Sequence, residues 1–201
     1  MQECCDHDVC DISVLHERQR RVLKWVLAIN AVMFVVEIVA GILANSTALL
    51  ADSLDMLGDA LIYGFSIYVL TRGDLWKARS ALLKGSIMLA SALFVYGEAI
   101  YKITVPVVPI PEAIGVVGLL ALLANVICLM LLSRHRADDI NMHSVWLCSR
   151  NDIIANVGVL IAAVGVGLTH TIWPDILIGL MIATIVLRSA VQVIVRSVKK
   201  M

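Results

Sequence analysis

The sequence predicts an all-α, polytopic membrane protein, a bundle of six transmembrane helices with both termini cytoplasmic. Of its 201 residues, 60% are hydrophobic, and the mean hydropathy is +0.91. A soluble domain of this size is about half apolar, so the excess of apolar side chains is expected to face lipid. Six long apolar stretches are separated by short segments that hold most of the charges. This distribution excludes an ordinary soluble domain.

A spanning helix needs roughly 20 apolar residues to cross a hydrocarbon layer about 30 Å thick. Six segments meet this requirement, and no loop between them is long enough for a second domain. The segments are 22–44, 48–70, 81–101, 113–132, 144–168 and 176–194. We therefore expect a cytoplasmic tail that contains Cys and His over residues 1–21, a six-helix transport domain over residues 22–196, and a short basic end over residues 197–201.

The basic residues predict how the chain lies in the membrane. They cluster before the first helix, between the second and third, between the fourth and fifth, and after the sixth, whereas the opposite loops hold only Lys102. Because cytoplasmic loops carry an excess of Lys and Arg, both termini are expected in the cytoplasm. Glu98 precedes Lys102 by four residues, so we expect a local ion pair between them.

The charge balance and the first residues exclude two further classes. The formal net charge is zero, which argues against a nucleic-acid partner. The chain opens with MQECCDHDVCD, where a secretory signal peptide has basic residues ahead of a short apolar segment. Two of the five cysteines, Cys128 and Cys148, lie inside apolar stretches, so we expect reduced thiols rather than a disulfide framework. Cys128 is interpreted as packing.

Two turns have readable chemistry. Asn45, Ser46 and Thr47 provide cap residues for the second helix after a short connection, so the first two helices should form an antiparallel hairpin. Pro174 followed by Asp175 suits the first turn of the sixth helix, where a carboxylate meets the positive end of the helix dipole.

The second helix carries three aspartates inside an apolar stretch. Asp52, Asp55 and Asp59 have the spacing i, i+3, i+7, which places them on one stripe of the helix. Each central Asp costs roughly 2.5–3.5 kcal/mol to insert, so three cost on the order of 10 kcal/mol. A cost of this size needs a bound ion, retained protons or a water-filled cavity. Asp52 lies nearest the outer end, where capping the helix or facing water is an alternative.

The fifth helix contributes a second group of ligands. Cys148 and Asp152 are four residues apart and share a face, with Asn156 one turn further along. Opposite the pair of Asp55 and Asp59, they would form a donor set of three carboxylates and one thiol, which suits Zn²⁺. The thiol favours Zn²⁺ or Cd²⁺, whereas the oxygens leave Mn²⁺ and Fe²⁺ open. The sequence thus predicts a metal site between the second and fifth helices.

Other polar residues are secondary candidates. Asp52 and Asn156 are alternatives for completing the coordination, and Glu37 in the first helix is either a proton carrier or the partner of a polar neighbour. The tail contains soft ligands, which either capture metal or belong to a disordered acidic segment. These tail residues are Cys4, Cys5, His7 and Cys10.

The whole pattern resembles the cation diffusion facilitator family across all six helices. The stretch Ser46–Asp59 is similar to the signature of that family, Ser-x-Ala-Leu-x-x-Asp-Ser followed by two ligands four residues apart. Other similar pieces are Phe34 to Gly41, Glu98-Ala99-Ile100 and Pro174-Asp175. The resemblance implies that the pairs in the second and fifth helices are the metal ligands. It also implies export of Zn²⁺ and related ions in exchange for protons.

Two features differ from the family pattern. Zinc-transporting members usually have His at the position of Cys148, so the resemblance implies the family more strongly than the metal. Members usually also carry a cytoplasmic C-terminal domain of ferredoxin-like fold that binds metal and dimerises, and we expect that domain to be absent here. The homodimer that the resemblance implies would then form through transmembrane helices.

These observations predict a secondary transporter in the bacterial inner membrane, with no enzymatic activity and no prosthetic group. We expect it to export Zn²⁺ first and Cd²⁺ next, with Co²⁺, Fe²⁺ or Mn²⁺ as further substrates, in exchange for H⁺ by alternating access. Its partners would be divalent metal ions and the lipid bilayer. Four ionised ligands would place four negative charges in a low-dielectric site, so the empty site should retain protons that the metal expels.

Two alternatives use the same residues differently. An intramembrane aspartyl protease would use Asp59 and Asp152, and leaves Asp55 and Cys148 without a role. A membrane metal sensor or chaperone that does not transport would depend on the cysteine-rich tail.

Overall fold

In the residues that it describes, the structure, a computed structural model, contains six α-helices. They are α1 Cys4–Leu43, α2 Thr47–Val69, α3 Asp74–Thr104, α4 Pro111–Ser133, α5 Ile140–Thr169 and α6 Trp173–Val198. The structure describes residues 4–69, 74–136 and 140–198, without the side chains of 4–16, 62, 65–69, 74–81, 84, 140–145, 147, 148 and 196. These ranges contain no strand, so the all-α prediction is confirmed.

Each predicted transmembrane segment is found as a helix. Five helices, α1 and α3 to α6, are long and apolar enough to cross a membrane. The remaining helix, α2, has 23 residues but carries the three aspartates. Several helices begin earlier than predicted: α3 begins at Asp74 and α5 at Ile140, because a helix continues through charged turns that an apolar-run criterion leaves out. The orientation of the termini stays a prediction.

The acidic helix α2 lies at the centre of the bundle. It packs against α1, α3, α5 and α6, while α4 packs against α1 and α5. Large apolar side chains of the surrounding helices are exposed, among them Val35, Val39 and Leu119. In a bilayer such side chains face lipid, so the polar side chains are the ones that turn inward.

A tight turn joins α1 to α2. Asn45 adopts a left-handed backbone conformation with φ 54°, which Asn tolerates better than most residues. The backbone N–H of Ser46 donates to the carbonyl oxygen of Gly41 at 2.9 Å, which closes the end of α1. The hydroxyl oxygen of Ser46 accepts a hydrogen bond from the N–H of Leu49 at 3.1 Å. Ser46 is therefore the N-cap of α2, as predicted.

Asp175 of α6 completes this cap from outside α2. Its carboxylate accepts hydrogen bonds from the Ser46 hydroxyl at 2.5 Å and from the backbone N–H groups of Thr47 and Ala48 at 2.6 and 3.2 Å. Asp175 does lie in the first turn of α6, as predicted. The sequence interpretation was nevertheless incomplete, because the carboxylate binds the positive end of α2 and so ties α6 to it.

Lys102 joins the same network from α3. The sequence placed it in an outer loop, which is wrong: α3 continues to Thr104 and Lys102 is 2% exposed. Its ammonium group donates to the carbonyl oxygen of Asn45 at 2.9 Å and to the hydroxyl of Thr47 at 3.3 Å. It also lies 3.5 Å from a carboxylate oxygen of Glu98, so the predicted ion pair is confirmed. The Lys102 ammonium group thus lies at the C-terminal end of α1, the negative end of its helix dipole.

The crossing of α6 and α2 depends on a glycine. A Cβ atom added to Gly179 would lie 2.8 Å from the carbonyl carbon of Thr47 and 2.9 Å from its oxygen. Only a residue without a side chain allows this approach. Because Asp175 lies one turn earlier on α6, the close crossing brings its carboxylate to the start of α2.

We expect Gly179→Ala to lower the thermal midpoint of the detergent-purified protein, because the new methyl group overlaps backbone atoms of α2. Overpacking of this kind costs about 1–3 kcal/mol. Gly97→Ala is the matched control, since an added Cβ there meets nothing within 4 Å, and it should keep or raise the midpoint. Circular dichroism during heating measures the midpoints. Equal midpoints in the two variants would contradict the close crossing of α6 and α2.

Asp175→Ala should also lower the midpoint, because it leaves the Ser46 hydroxyl and two backbone N–H groups without their acceptor. A lost N-cap costs about 1 kcal/mol and each buried donor left unsatisfied costs about 1–3 kcal/mol. Glu112→Ala, which removes an exposed acid from the first turn of α4, is the control and should change the midpoint little. Equal thermal midpoints in the two variants would show that Asp175 of α6 does not cap α2.

Candidate metal site

Two of the three aspartates of α2 are buried inside the bundle. Asp52 is buried, Asp59 is 6% exposed, and Asp55 between them is partly exposed. All three belong to one uninterrupted helix, so their spacing places them along one stripe, as predicted. The stripe therefore presents carboxylates to the neighbouring helices rather than to lipid.

The second predicted pair lies on α5, which contacts α2. Asp152 is 8% exposed, and Asn156, one turn further, is fully buried. The side-chain nitrogen of Asn156 donates to the carbonyl oxygen of Asp152 at 2.7 Å, while its side-chain oxygen has no hydrogen-bond partner among the described atoms. Because an unsatisfied buried oxygen costs about 1–3 kcal/mol, Asn156 stays a candidate for completing a metal site.

The described carboxylates do not form a cluster that could coordinate one metal ion. Among the side chains that the structure describes, no group of three or more His, Cys, Asp or Glu residues could hold a metal ion. Cys148 belongs to α5, but its side chain lies outside the described residues. The same is true of the tail candidates Cys4, Cys5, His7 and Cys10. The four-ligand site therefore stays a prediction.

Glu37 of α1 lies beside the part of the stripe that contains Asp52 and Asp55. It is fully buried, and neither carboxylate oxygen has a hydrogen-bond partner among the described residues. Asp52 and Asp55 are both close enough to interact with it electrostatically. The interpretation that Glu37 is hydrogen-bonded to a polar neighbour thus finds no support in the described part of the chain. Like charges this close repel unless protons or a cation neutralise them.

Asp52 has a different environment from the one that its position near the helix end suggests. It is buried, and one of its carboxylate oxygens has no hydrogen-bond partner among the described atoms. The alternative in which Asp52 caps the helix or faces water is therefore wrong. The capping positions are occupied by Ser46 and Asp175 instead.

Asp59 is held by a residue that the sequence analysis missed. Tyr63, one turn further along α2, donates its hydroxyl to a carboxylate oxygen of Asp59 at 3.0 Å. The Tyr63 ring is fully buried. It packs in an apolar cluster with Leu23, Val26, Cys128 and Leu132. The signal available in the sequence was a tyrosine four residues after a buried aspartate, a spacing at which two helical side chains meet.

Cys128 lies close to this group and packs as predicted. It is a buried free thiol in the apolar cluster around Tyr63. The side-chain nitrogen of Asn30 lies 3.8 Å from its sulfur and donates to the carbonyl oxygen of Val26 at 2.9 Å. Cys128 is also near enough to Asp59 for an electrostatic interaction. The buried amide of Asn30 is a second polar group that the sequence analysis did not single out.

Comparisons with known proteins identify the family. Residues 23–75 and 76–201 match the family described as "Cation efflux transmembrane domain". The chain belongs to this family. The match covers the part of the sequence in which we recognised the cation diffusion facilitator pattern, and confirms it. Because cation efflux proteins are transporters, the expectation that the chain is not an enzyme is confirmed, and the protease alternative is wrong.

Named relatives of this cation efflux protein are metal transporters. The Metal cation efflux system protein CzcD of Cupriavidus metallidurans is 27% identical over 89% of this chain and 62% of its own length. The Cadmium, cobalt and zinc/H(+)-K(+) antiporter of Bacillus subtilis is 23% identical over 89% and 63%. Zinc transporter ZitB of Yersinia pestis is 25% identical over 81% and 56%. The chain thus spans about 60% of the length of these relatives.

The family and the five apolar helices together make the chain an integral membrane protein. The helices α2 and α5, which carry the two predicted ligand pairs, are in contact. Burial of Asp59 and Asp152 on those helices agrees with a site inside the membrane bundle.

We expect Cys148→Ala to weaken Zn²⁺ binding by the full chain by about tenfold or more, because the predicted site loses its only thiolate ligand. Cys128→Ala, which removes a buried thiol from an apolar cluster, is the matched control and should change the affinity by less than about twofold. Titration calorimetry of the detergent-purified protein measures both. A Cys148→Ala protein that binds Zn²⁺ as tightly as the Cys128→Ala protein would remove Cys148 from the site.

Proposed function

We propose that the protein exports divalent transition-metal ions from the cytoplasm in exchange for protons, with Zn²⁺ as the first substrate and Cd²⁺ as the next. The observation that carries the proposal is the burial of Asp59 and Asp152 on two contacting helices of a membrane bundle. Carboxylates at such positions are costly and are the usual ligands of ion pathways. The names of the bacterial relatives, which refer to cation efflux and zinc transport, support the same substrates.

The proposed binding site combines the ligand pairs of α2 and α5. Its members are Asp55, Asp59, Cys148 and Asp152. Oxygen and sulfur donors in a tetrahedral arrangement suit Zn²⁺, and the thiolate favours Cd²⁺ over Fe²⁺ and Mn²⁺. Co²⁺ fits the same donors. Because the described carboxylates do not gather around one point, we infer that metal loading draws the two helices' pairs together.

Exchange with protons follows from the charge of the site. Three carboxylates and one thiolate carry four negative charges when ionised. Asp52 is a further acid of the same stripe, and Glu37 lies close to it. A low-dielectric interior does not sustain that charge, so protons occupy the ligands when the metal is absent. Binding of M²⁺ releases them, because the ligands coordinate metal only after deprotonation. Proton uptake on the outer side then returns the empty site to its starting state.

Alternating access requires one end of the bundle to be closed while the other admits the ion. The network of Ser46, Lys102 and Asp175 ties α2, α3 and α6 together at one end. The distribution of basic residues makes this the outer end, so we infer a conformation that opens toward the cytoplasm. We place the transporter in the bacterial inner (plasma) membrane, and a homodimer through transmembrane helices stays a prediction.

The test is Zn²⁺ flux into liposomes that contain the purified full chain, followed with an indicator dye under an imposed pH gradient. The parent protein should transport Zn²⁺ as long as the gradient lasts. Asp59→Asn should reduce the rate by about tenfold or more, because the site loses a charged ligand. Glu112→Gln alters an exposed acid of α4 in the same way chemically, and should transport at the parent rate.

Three other results would each contradict one part of the proposal. Zn²⁺ binding without flux, from folded protein, would exclude transport and favour the metal sensor or chaperone. Flux that is insensitive to collapse of the pH gradient would exclude proton exchange. Equal rates in Asp59→Asn and Glu112→Gln would exclude Asp59 from the pathway.

A further inference from the structure

We propose that Tyr63 is a positioning residue for the metal site: its hydroxyl holds the carboxylate of Asp59 in the orientation that binds the transported ion. The inference rests on the proposed function, since it takes Asp59 as a ligand. It assigns a role to a side chain whose type, an aromatic phenol, is not itself part of the predicted donor set.

The contact between the two side chains is direct. The Tyr63 hydroxyl donates to a carboxylate oxygen of Asp59 at 3.0 Å. Both residues belong to α2 and are four residues apart, so the regular helix fixes the distance between their backbones. A hydrogen bond from a neutral donor to a carboxylate is stronger than one between two neutral groups, and it restricts the rotation of the acceptor.

The ring that carries this hydroxyl is held from several sides. Tyr63 is fully buried, and side chains of α1 and α4 form the walls of its pocket. Buried walls are supplied by Leu23, Val26, Cys128 and Leu132, with the partly buried Trp146 of α5 packed against them. Because packing fixes the ring, the hydroxyl is held at one position, which is what a positioning residue requires.

The consequence for metal binding follows from how ligands are oriented in other sites. Side chains that hydrogen-bond a metal ligand fix its direction, and their removal typically weakens metal affinity about 10–100-fold. Without the Tyr63 hydroxyl, the Asp59 carboxylate would spend part of its time in other rotamers.

A purely structural role for the hydroxyl makes a different prediction. If the bond only satisfies a buried phenol, its loss lowers the stability of the metal-free protein and leaves the response to metal unchanged. If the bond positions Asp59, the affinity for the ion falls as well. The two roles are therefore separated by measuring Zn²⁺ binding and metal-free stability in the same variant.

The decisive variant is Tyr63→Phe, which removes the hydroxyl and keeps the ring. We expect its dissociation constant for Zn²⁺, measured by calorimetry on the full chain in detergent, to rise about 10–100-fold. The increase in thermal midpoint at a fixed Zn²⁺ concentration should shrink accordingly. The matched control is Tyr96→Phe, which removes a hydroxyl that is hydrogen-bonded to Thr184 at 2.7 Å between α3 and α6. It should keep the parent affinity.

An unchanged dissociation constant in folded Tyr63→Phe overturns the inference, whatever happens to the metal-free midpoint. The proposed site itself would survive that result, because the parent protein would still bind Zn²⁺. Failure of the parent protein to bind Zn²⁺ would overturn both. A similar loss of affinity in Tyr63→Phe and Tyr96→Phe would also overturn the inference, since general loosening of the bundle would then explain it.

A second pair of variants serves if Tyr63→Phe does not fold. Val26→Ala removes part of the wall behind the Tyr63 ring without changing either partner of the hydrogen bond. Val95→Ala makes the same change at a buried position of the larger core cluster, on α3. Only Val26→Ala should weaken Zn²⁺ binding several-fold. Equal affinities in these two variants would refute the positioning role of the ring.

Discussion

The free-energy cost of carboxylates in an apolar bundle shapes the whole molecule. Three aspartates on α2 and Glu37 on α1 cannot face hydrocarbon, so α2 is surrounded by four helices and the acids point inward. The large apolar side chains of the surrounding helices take the outer positions that polar residues occupy in a soluble protein. A bundle arranged in this way keeps these ionisable groups in its interior.

The first turn of α2 is bonded to residues of other helices. Ser46 caps it from its own turn, Asp175 caps it from α6, and Lys102 binds the adjoining carbonyl end of α1. Gly179 lets α6 come close enough for these bonds to form. Such a fastening sets the depth and rotation of the acidic stripe, because a helix held at its first turn carries its side chains along at fixed angles.

The two halves of the stripe have different chemical surroundings. Asp52 and Asp55 both lie close enough to another acid, Glu37, for an electrostatic interaction. Asp59 accepts a hydrogen bond from the Tyr63 hydroxyl and lies near the thiol of Cys128. Under the proposed function, Glu37 and Asp52 repel one another when ionised and hold protons, whereas Asp59, oriented by the Tyr63 hydroxyl, binds the metal together with Asp55.

The sequence by itself determined the helices, the spacing of the ligand pairs and the Ser46 cap. These depend on local features, namely apolar run length, helical periodicity and the residue that precedes a first turn. Only the tertiary structure decided that Asp175 caps α2, that Lys102 is buried and that Glu37 faces Asp52. Each of these joins residues of different helices, and helical periodicity fixes which side chains share a face without fixing which faces meet.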